Sequence, residues 1–496
     1  MTNLLDKIFW KDIKELNTIG LNIFYDISKQ VRSKQKDGLE DYENLFLIFF
    51  HDIQRLLSAC LQRNYELKNE HLRIKKFNNF NQKDFPFFDY QNLLEEKIDI
   101  NQKKILKDEF HYRISFFHKI INFASCFFDK RLLYMNTHLD TRDILSFFLK
   151  RRVGIFFANS QKLFATDKMF SGIEEIKTYI IDYLRDYEIV IQGLDELVES
   201  YFLQYLTKEQ VLYNQDLVIL GTLGKTANRL IACNAARQGL KVMMLRHGES
   251  DGVIDEPIMG YCEQSFADYF VCFGNFDIES IQNSNFLEGH GKKRSTNIIN
   301  TNSEIIKRIY SSKIISPISN NLKDLKITFV PTFTGGFNTY LPYRYIPENY
   351  RNQFFIYLKE LLPSMKFKSH IKDKEGLLEI FESKDLLDMT LIQSLKYTDV
   401  FIFDYVSTAF SEIAATDKQI IFLDIGARNL TKKGIKLISE RCHYIDLQSV
   451  GFGSLQETLE KLELTKKINN FSEEFSLINS NEHALETIFK KIKHVL

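Results

Sequence analysis

At 496 residues, 44% hydrophobic and 26% charged, the chain is too long for one ordinary core and too rich in apolar residues to be disordered. Lysine plus arginine equals aspartate plus glutamate at 65 each, which argues against nucleic acid as the main partner. No apolar run reaches the roughly 18 residues a membrane span needs, and the stretch from Met1 to Asp12 has acidic residues where a signal peptide would have a basic start, so the expected location is cytoplasmic.

Residues 1–130 read as mainly helical, because the apolar run Leu45–Phe50 leads into His51-Asp-Ile-Gln-Arg-Leu-Leu and Phe116–Phe128 repeats apolar residues at helical spacing, and both stretches are expected to be core. Residues 76–90 read as a loop or boundary. From about 131 the pattern changes to alternating strands and helices: a strand at 131–136, a helix at 140–150 and a strand at 153–158. One long helical segment follows, from about 173 to 205. Then come a strand at 216–221, a helix at 225–238 stopped by Gly239, and a strand at 241–245. This alternation predicts an α/β domain. The turn Gly221-Thr-Leu-Gly-Lys-Thr226 falls short of a phosphate-binding P-loop, whose first glycine would have to stand where the chain has Ile219.

The strand ending at Leu245 opens into Arg246-His-Gly-Glu-Ser-Asp-Gly252, and ligands of open parallel sheets bind beyond the carboxyl ends of strands. The loop reads either as a solvated polar turn or as a set of proton acceptors on a flexible backbone. After a strand at 267–274, the polar segment 283–302 reads as exposed and mobile, and 311–324 as a linker. A second α/β domain opens at Lys326. Its first loop contains Thr332, Thr334 and Gly335, and a strand from Met365 runs toward His370. The clearest unit of the chain is strand, loop, helix, strand over 399–424, with Asp404-Tyr-Val-Ser-Thr-Ala-Phe-Ser-Glu412 in its middle. Ser407 and Thr408 either cap the helix or offer hydroxyls, with free helix-end amides, to a phosphate, and Glu412 follows one turn later. The tail, 454–462 and 482–496, is helical and amphipathic. The six cysteines show no Cys-x-x-Cys pair and no zinc spacing, and read as buried thiols in a reducing compartment.

The stretch from Asp404 to Glu412, followed by Lys418-Gln-Ile-Ile, resembles the donor-site pattern of GT-B glycosyltransferases, with Gln419 where that pattern has proline. The His247-Gly248 loop resembles the strand-His-Gly element of CDP-glycerol glycerophosphotransferases and related bacterial capsule and lipopolysaccharide transferases. It is also similar to the acidic-acidic-Gly motif of bacterial sialyltransferases, with Ser250 inserted. The strand leading to His370 resembles the superfamily's strand-His-Pro phosphate element, with Ile371 in place of proline.

These resemblances imply an α/β protein of two Rossmann-like domains, GT-B-like, with a mainly helical N-terminal extension. The expected division is 1–130 helical, 131–315 acceptor domain, 325–480 nucleotide-donor domain, and 481–496 a C-terminal helix crossing back. The implied activity moves a sugar from a nucleotide-activated donor to a bacterial surface glycan or lipid-linked glycan, without metal or cofactor. The catalytic candidates are His247, then Glu249, then Asp251. The donor would be held by His370, Ser407, Thr408, Glu412, Asp404, Thr332, Thr334 and Gly335, and the acceptor by Arg246, Gly248 and Gly252. Peripheral contact with the inner face of the cytoplasmic membrane accompanies that reading. Its rivals are glycerophosphotransferase-type transfer, a nucleotide-sugar epimerase or hydrolase on the same fold, and a non-catalytic binding protein.

Overall fold

The computed structural model describes residues 13–33, 40–68, 116–135, 141–157, 163–221, 223, 226–246, 253–254, 266–274, 296–311, 322–331, 348–368, 377–378, 380–426, 430–465, 467, 470–477, 480 and 483–496. In the first half the strands are β1 (Lys130–Met135), β2 (Val153–Phe157), β3 (Leu163–Phe164), β4 (Leu206–Thr207), β5 (Leu217–Leu220), β6 (Lys241–Leu245), β7 (Tyr269–Phe273) and β8 (Asn297–Thr301). Six of them form a parallel sheet in the order β2-β1-β5-β6-β7-β8, while β3 and β4 make a separate parallel pair. β5 and β7 are buried at every position, which is why they read in sequence as unbroken apolar runs. At the edge, β8 buries only alternate residues. That is how a strand arises within 283–302, a segment whose polarity predicted an exposed loop.

The expected single helix over 173–205 is two, Asp167–Asp186 and Leu194–Leu203. Gly193 breaks them apart with φ +75°, a left-handed conformation that only glycine adopts freely. The helix Glu40–Lys68 is no appendage. Its Leu45, Phe49, Ile53, Leu57 and Leu61 lie in one apolar core with Val218, Leu220, Leu230 and Val242 of the sheet layer, and Phe49 stacks on Phe202 at 4.3 Å. The first predicted aromatic stripe is therefore core.

The second stripe is not. The helix Phe116–Ser125 lies against edge strand β2 and substitutes for a missing neighbour strand. Asn122 Nδ2 donates to the Phe157 carbonyl at 3.1 Å while the Phe157 N–H donates to Asn122 Oδ1 at 2.7 Å. Ser125 Oγ exchanges two hydrogen bonds of 2.8 Å with the Ile155 backbone. This close approach requires Gly154, because a Cβ there would lie 2.6 Å from the Ser125 carbonyl oxygen. The opposite side leaves Phe116, Phe117, Ile120, Phe123 and Phe127 exposed. Helical spacing in the sequence identified a face but not what lies against it.

The second half contains β9 (Ile327–Val330), β10 (Lys366–Phe367), β11 (Val400–Phe403), β12 (Gln419–Asp424) and β13 (His443–Asp446), all parallel, in the order β10-β9-β11-β12-β13. Both large sheets thus follow the doubly wound order in which the second strand lies outside the first and the third lies on its other side. The fold is α/β, built from two Rossmann-like parallel sheets. The final helix, Ala484–Ile492, places Leu485, Ile488 and Ile492 in an apolar cluster with residues of β1, β2, β6 and β7. Of the described cysteines, Cys60, Cys233, Cys272 and Cys442 are buried thiols outside any disulfide, whereas Cys126 is exposed, contrary to expectation.

His443, at the start of β13, is buried, and its Nε2 lies 3.2 Å from Gln419 Oε1. Burial, with Lys467 and Arg441 nearby, pushes its pKa from 6.5 down to about 4. The folded state therefore prefers the neutral ring, and between these two values the unfolded chain binds more protons. Stability from this group is complete above about pH 6.5 and is lost as pH falls toward about 4. A denaturation series across that window should show the decline, and His443→Gln should flatten it; an unchanged slope would assign the acid sensitivity elsewhere.

Candidate functional site

In the second sheet the strand order reverses between β9 and β11, so the crevice at the carboxyl ends of these two strands is where a ligand of such a sheet is bound. The loop after β11 is built by local chemistry. The four buried residues Val400–Phe403 end at Asp404, which is 3% exposed, and Ser407 then takes an extended conformation with φ −138°. Ser407 Oγ accepts the Phe410 N–H at 3.3 Å, capping the helix Thr408–Ala414. Ser407, Thr408 and Glu412 are half-buried, all at this carboxyl edge or on the helix leaving it. Phe410 fixes the helix by packing edge-on against Phe403 at 5.4 Å and Phe422 at 5.5 Å. After β12, the Asp424 carboxylate accepts the Gly426 N–H at 2.8 Å and the Tyr444 hydroxyl at 2.6 Å, pinning the next loop.

In the first sheet, Arg246 directly follows β6. It is 1% exposed, its Nη1 donates to the Phe273 carbonyl at 3.3 Å, and its guanidinium lies 5.4 Å from the centre of the Phe475 ring. Its structural use is as a buried brace between the two halves of the chain, a different role from an open acceptor contact. Beyond the histidine-bearing loop, Val253 and Ile254 cross to the second half. The Thr431 N–H donates to the Val253 carbonyl at 2.8 Å, Ile254 forms an antiparallel bridge with Leu430, and Val253 is buried among Phe403, Val406 and Phe410. Gly434 permits this contact, since a Cβ there would lie 2.7 Å from the Val253 carbonyl oxygen. Ile254, Tyr405 and Leu430 make a small apolar cluster of their own. Ile254 is thereby packed on Tyr405, the residue next to Asp404, joining two stretches far apart in the chain.

No protein-family model matches the chain, and none of the curated proteins is similar to it. Solved structures give distant likenesses. They include Anabaena HepE in complex with UDP and glucose, at TM-score 0.35 and 9% identity over 77% of this chain and 96% of that one. A UDP-glucosyltransferase from Polygonum tinctorium that glucosylates indoxyl, in complex with 3,4-dichloroaniline, has TM-score 0.34 and 8% identity over 74% of this chain and 98% of its own. The glycosyltransferase SnogD from Streptomyces nogalater has TM-score 0.34 and 12% identity over 74% of this chain and all of its own, 100%.

His247, Gly248, Glu249, Asp251 and Gly252 lie outside the described residues, as do Thr332, Thr334, Gly335 and His370. The flanking elements place them in the chain: the first group between Arg246 and Val253, the threonines just after β9, and His370 just after β10. Three strand ends of the second sheet, β9, β10 and β11, thus supply its candidates.

One residue escaped sequence reasoning. Asn352, on the helix Glu348–Leu361, is fully buried, and neither amide atom has a hydrogen-bond partner among the described residues. Phe355, one turn later, packs on Phe329 of β9 at 5.3 Å and Phe367 of β10 at 6.1 Å. Because the helix returns antiparallel to the strands, Asn352 lies about 4.5 Å nearer their carboxyl ends. An unsatisfied buried amide costs about 1–3 kcal/mol. Asn352→Leu should therefore raise the unfolding free energy by about 1 kcal/mol or more; a destabilised variant would show that the amide is satisfied in the folded protein. An asparagine near a helix start carries no signal in sequence that separates this position from a solvated one.

Proposed function

We propose that this protein is a glycosyltransferase of GT-B-like build that moves a sugar from a nucleotide-activated donor to a surface glycan, carried on a lipid or free. The observation that carries the reading is the packing of Ile254 on Tyr405, because Ile254 follows His247–Gly252 closely in the chain and Tyr405 follows Asp404 directly. A transfer reaction needs a base on one substrate and a phosphate-binding edge on the other within a single cleft.

In this reading residues 325–480 hold the nucleotide, residues 131–315 hold the acceptor, and residues 481–496 return to the first unit. Helix-end amides with Ser407, Thr408 and His370 would stabilise the leaving phosphate electrostatically. Activity is then expected to survive EDTA. The bacterial capsule or lipopolysaccharide setting follows from the resemblance of the His-Gly loop.

A thermal-shift screen across CMP, CDP, UDP and GDP tests the donor half. A nucleotide present at about 100 times its Kd stabilises the folded state by about 2.7 kcal/mol, and no shift with any of the four would remove the reading. With the active nucleotide known, Thr408→Ala, His370→Ala and Ser407→Ala should each weaken its binding by about 1–3 kcal/mol. Ser407→Ala should in addition lower stability by about 1 kcal/mol through loss of the cap. Unchanged affinity in all three would leave Ser407 a cap and nothing more. Product analysis separates the remaining rivals, since free sugar in place of glycoside marks a hydrolase.

A further inference from the structure

We propose that the exposed aromatic side of the helix Phe116–Ser125 docks this protein onto an anionic lipid surface. The proposal rests on the reading of the chain as a transferase with a lipid-linked acceptor, and it names the surface that would bring the enzyme to that acceptor.

Phe116, Phe117, Ile120, Phe123 and Phe127 are 79, 60, 50, 69 and 78% exposed. Positions 116, 120, 123 and 127 recur at helical spacing and form one continuous stripe. The far side of the same helix is fully used, with Ile121 buried and with Asn122 and Ser125 bonded to the backbone of β2. Among the described residues, the stripe therefore belongs to none of the apolar cores. A contiguous exposed apolar stripe, unlike a single exposed residue, marks an interaction surface.

Charge selects the occupant. Lys119 and Lys130 are exposed beside the stripe, and because Lys130 pairs with Val153, exposed Arg152 and Lys150 stand at the same end of the sheet edge. Asp129 is the single acidic residue between 116 and 131, in a chain whose charges otherwise balance. Aromatic side chains with Lys119 on the same helix and Lys130 just beyond its end suit insertion at the headgroup level of an anionic bilayer. A second copy of this chain fits poorly, because a two-fold contact here would set each basic rim against itself.

The helix also runs antiparallel to β2, with Asn122 at Phe157 and Ser125 at Ile155. Phe116 therefore lies toward the carboxyl edge of the first sheet, the edge at which β6 ends at Leu245, shortly before His247 in the chain.

The test is co-sedimentation of the full chain with vesicles of phosphatidylcholine alone and of phosphatidylcholine mixed with phosphatidylglycerol. The parent should bind the mixed vesicles, and the triple variant Phe116→Ser/Phe123→Ser/Phe127→Ser should bind at least about tenfold more weakly. Its unfolding midpoint and its nucleotide-induced shift should be unchanged, since these side chains support no core. Lys119→Glu/Lys130→Glu should abolish the preference for the anionic vesicles. Equal vesicle binding by parent and triple variant, or none by the parent, overturns the proposal. So does a parent that binds no vesicles and is a dimer by light scattering while the triple variant is a monomer, which would give the face to a second copy. Vesicle binding lost in the variant beside a parent that binds no nucleotide would sink the transferase reading and leave the docking surface standing.

Discussion

Arg229→Met is expected to destabilise the protein by about 3–5 kcal/mol, the range for breaking a buried ion pair from one side. Arg229 is 1% exposed and Asp52 is 4% exposed, so neither charge has water to fall back on. The guanidinium donates to Asp52 at 3.4 Å, to Thr226 Oγ1 at 2.9 Å and to the Leu223 carbonyl at 2.7 Å, and also to the Ile48 carbonyl. Thr226 in turn donates to Asp52 at 3.2 Å. Methionine fills much of the volume but leaves two carbonyls without this donor and the buried Asp52 carboxylate without its cation. Because the loss comes mainly from the stranded partner, Asp52→Leu/Arg229→Met should recover a large part of it. Denaturant midpoints of the two variants decide the matter. A cost below about 1 kcal/mol for the single change would mean that the pair is hydrated.

The second large effect is expected at the proposed base. An acceptor hydroxyl loses its proton as it attacks, and a neutral imidazole with a pKa of about 6.5 suits that task near neutral pH better than a carboxylate at about 4.3. A general base contributes about 10²–10⁴ in rate, so His247→Ala should lose about 100-fold or more in turnover while nucleotide affinity stays unchanged. Glu249 would then orient the ring or contact the acceptor. Near-normal turnover in His247→Ala, beside a folded but inactive Glu249→Gln or Asp251→Asn, would move the role to the carboxylate and favour the sialyltransferase-like alignment.

Much of the second sheet was legible before folding. β11, the Ser407 cap and β12 lie within 26 consecutive residues, and each depends on neighbours a few positions away: apolar runs buried on both faces, a hydroxyl reaching the N–H three residues on. β6 was readable to the residue for the same reason, with Gly239 at φ +76° closing the helix before it. Where a segment's environment is asymmetric, local pattern stopped short. β8 is an edge strand, needs apolar residues at alternate positions only, and so resembled a loop.

The amino-acid sequence by itself determined the α/β alternation and the capped helix at Ser407, and it supplied the two stretches proposed to carry chemistry. Tertiary structure alone decided how they are used. Two apolar stretches read as helical core went opposite ways, Leu45–Phe50 into the first core and Phe116, Phe117, Ile120, Phe123 and Phe127 into solvent, because an apolar pattern specifies a surface while only the neighbouring layer specifies what covers it. Arg229 reads as an ordinary helix arginine until Asp52, 177 positions earlier, is packed beneath it. Ile254 and Tyr405 are two unremarkable side chains until the strand ends bring them together, since the free energy that joins them comes from burying surface between distant segments and leaves no trace in either one.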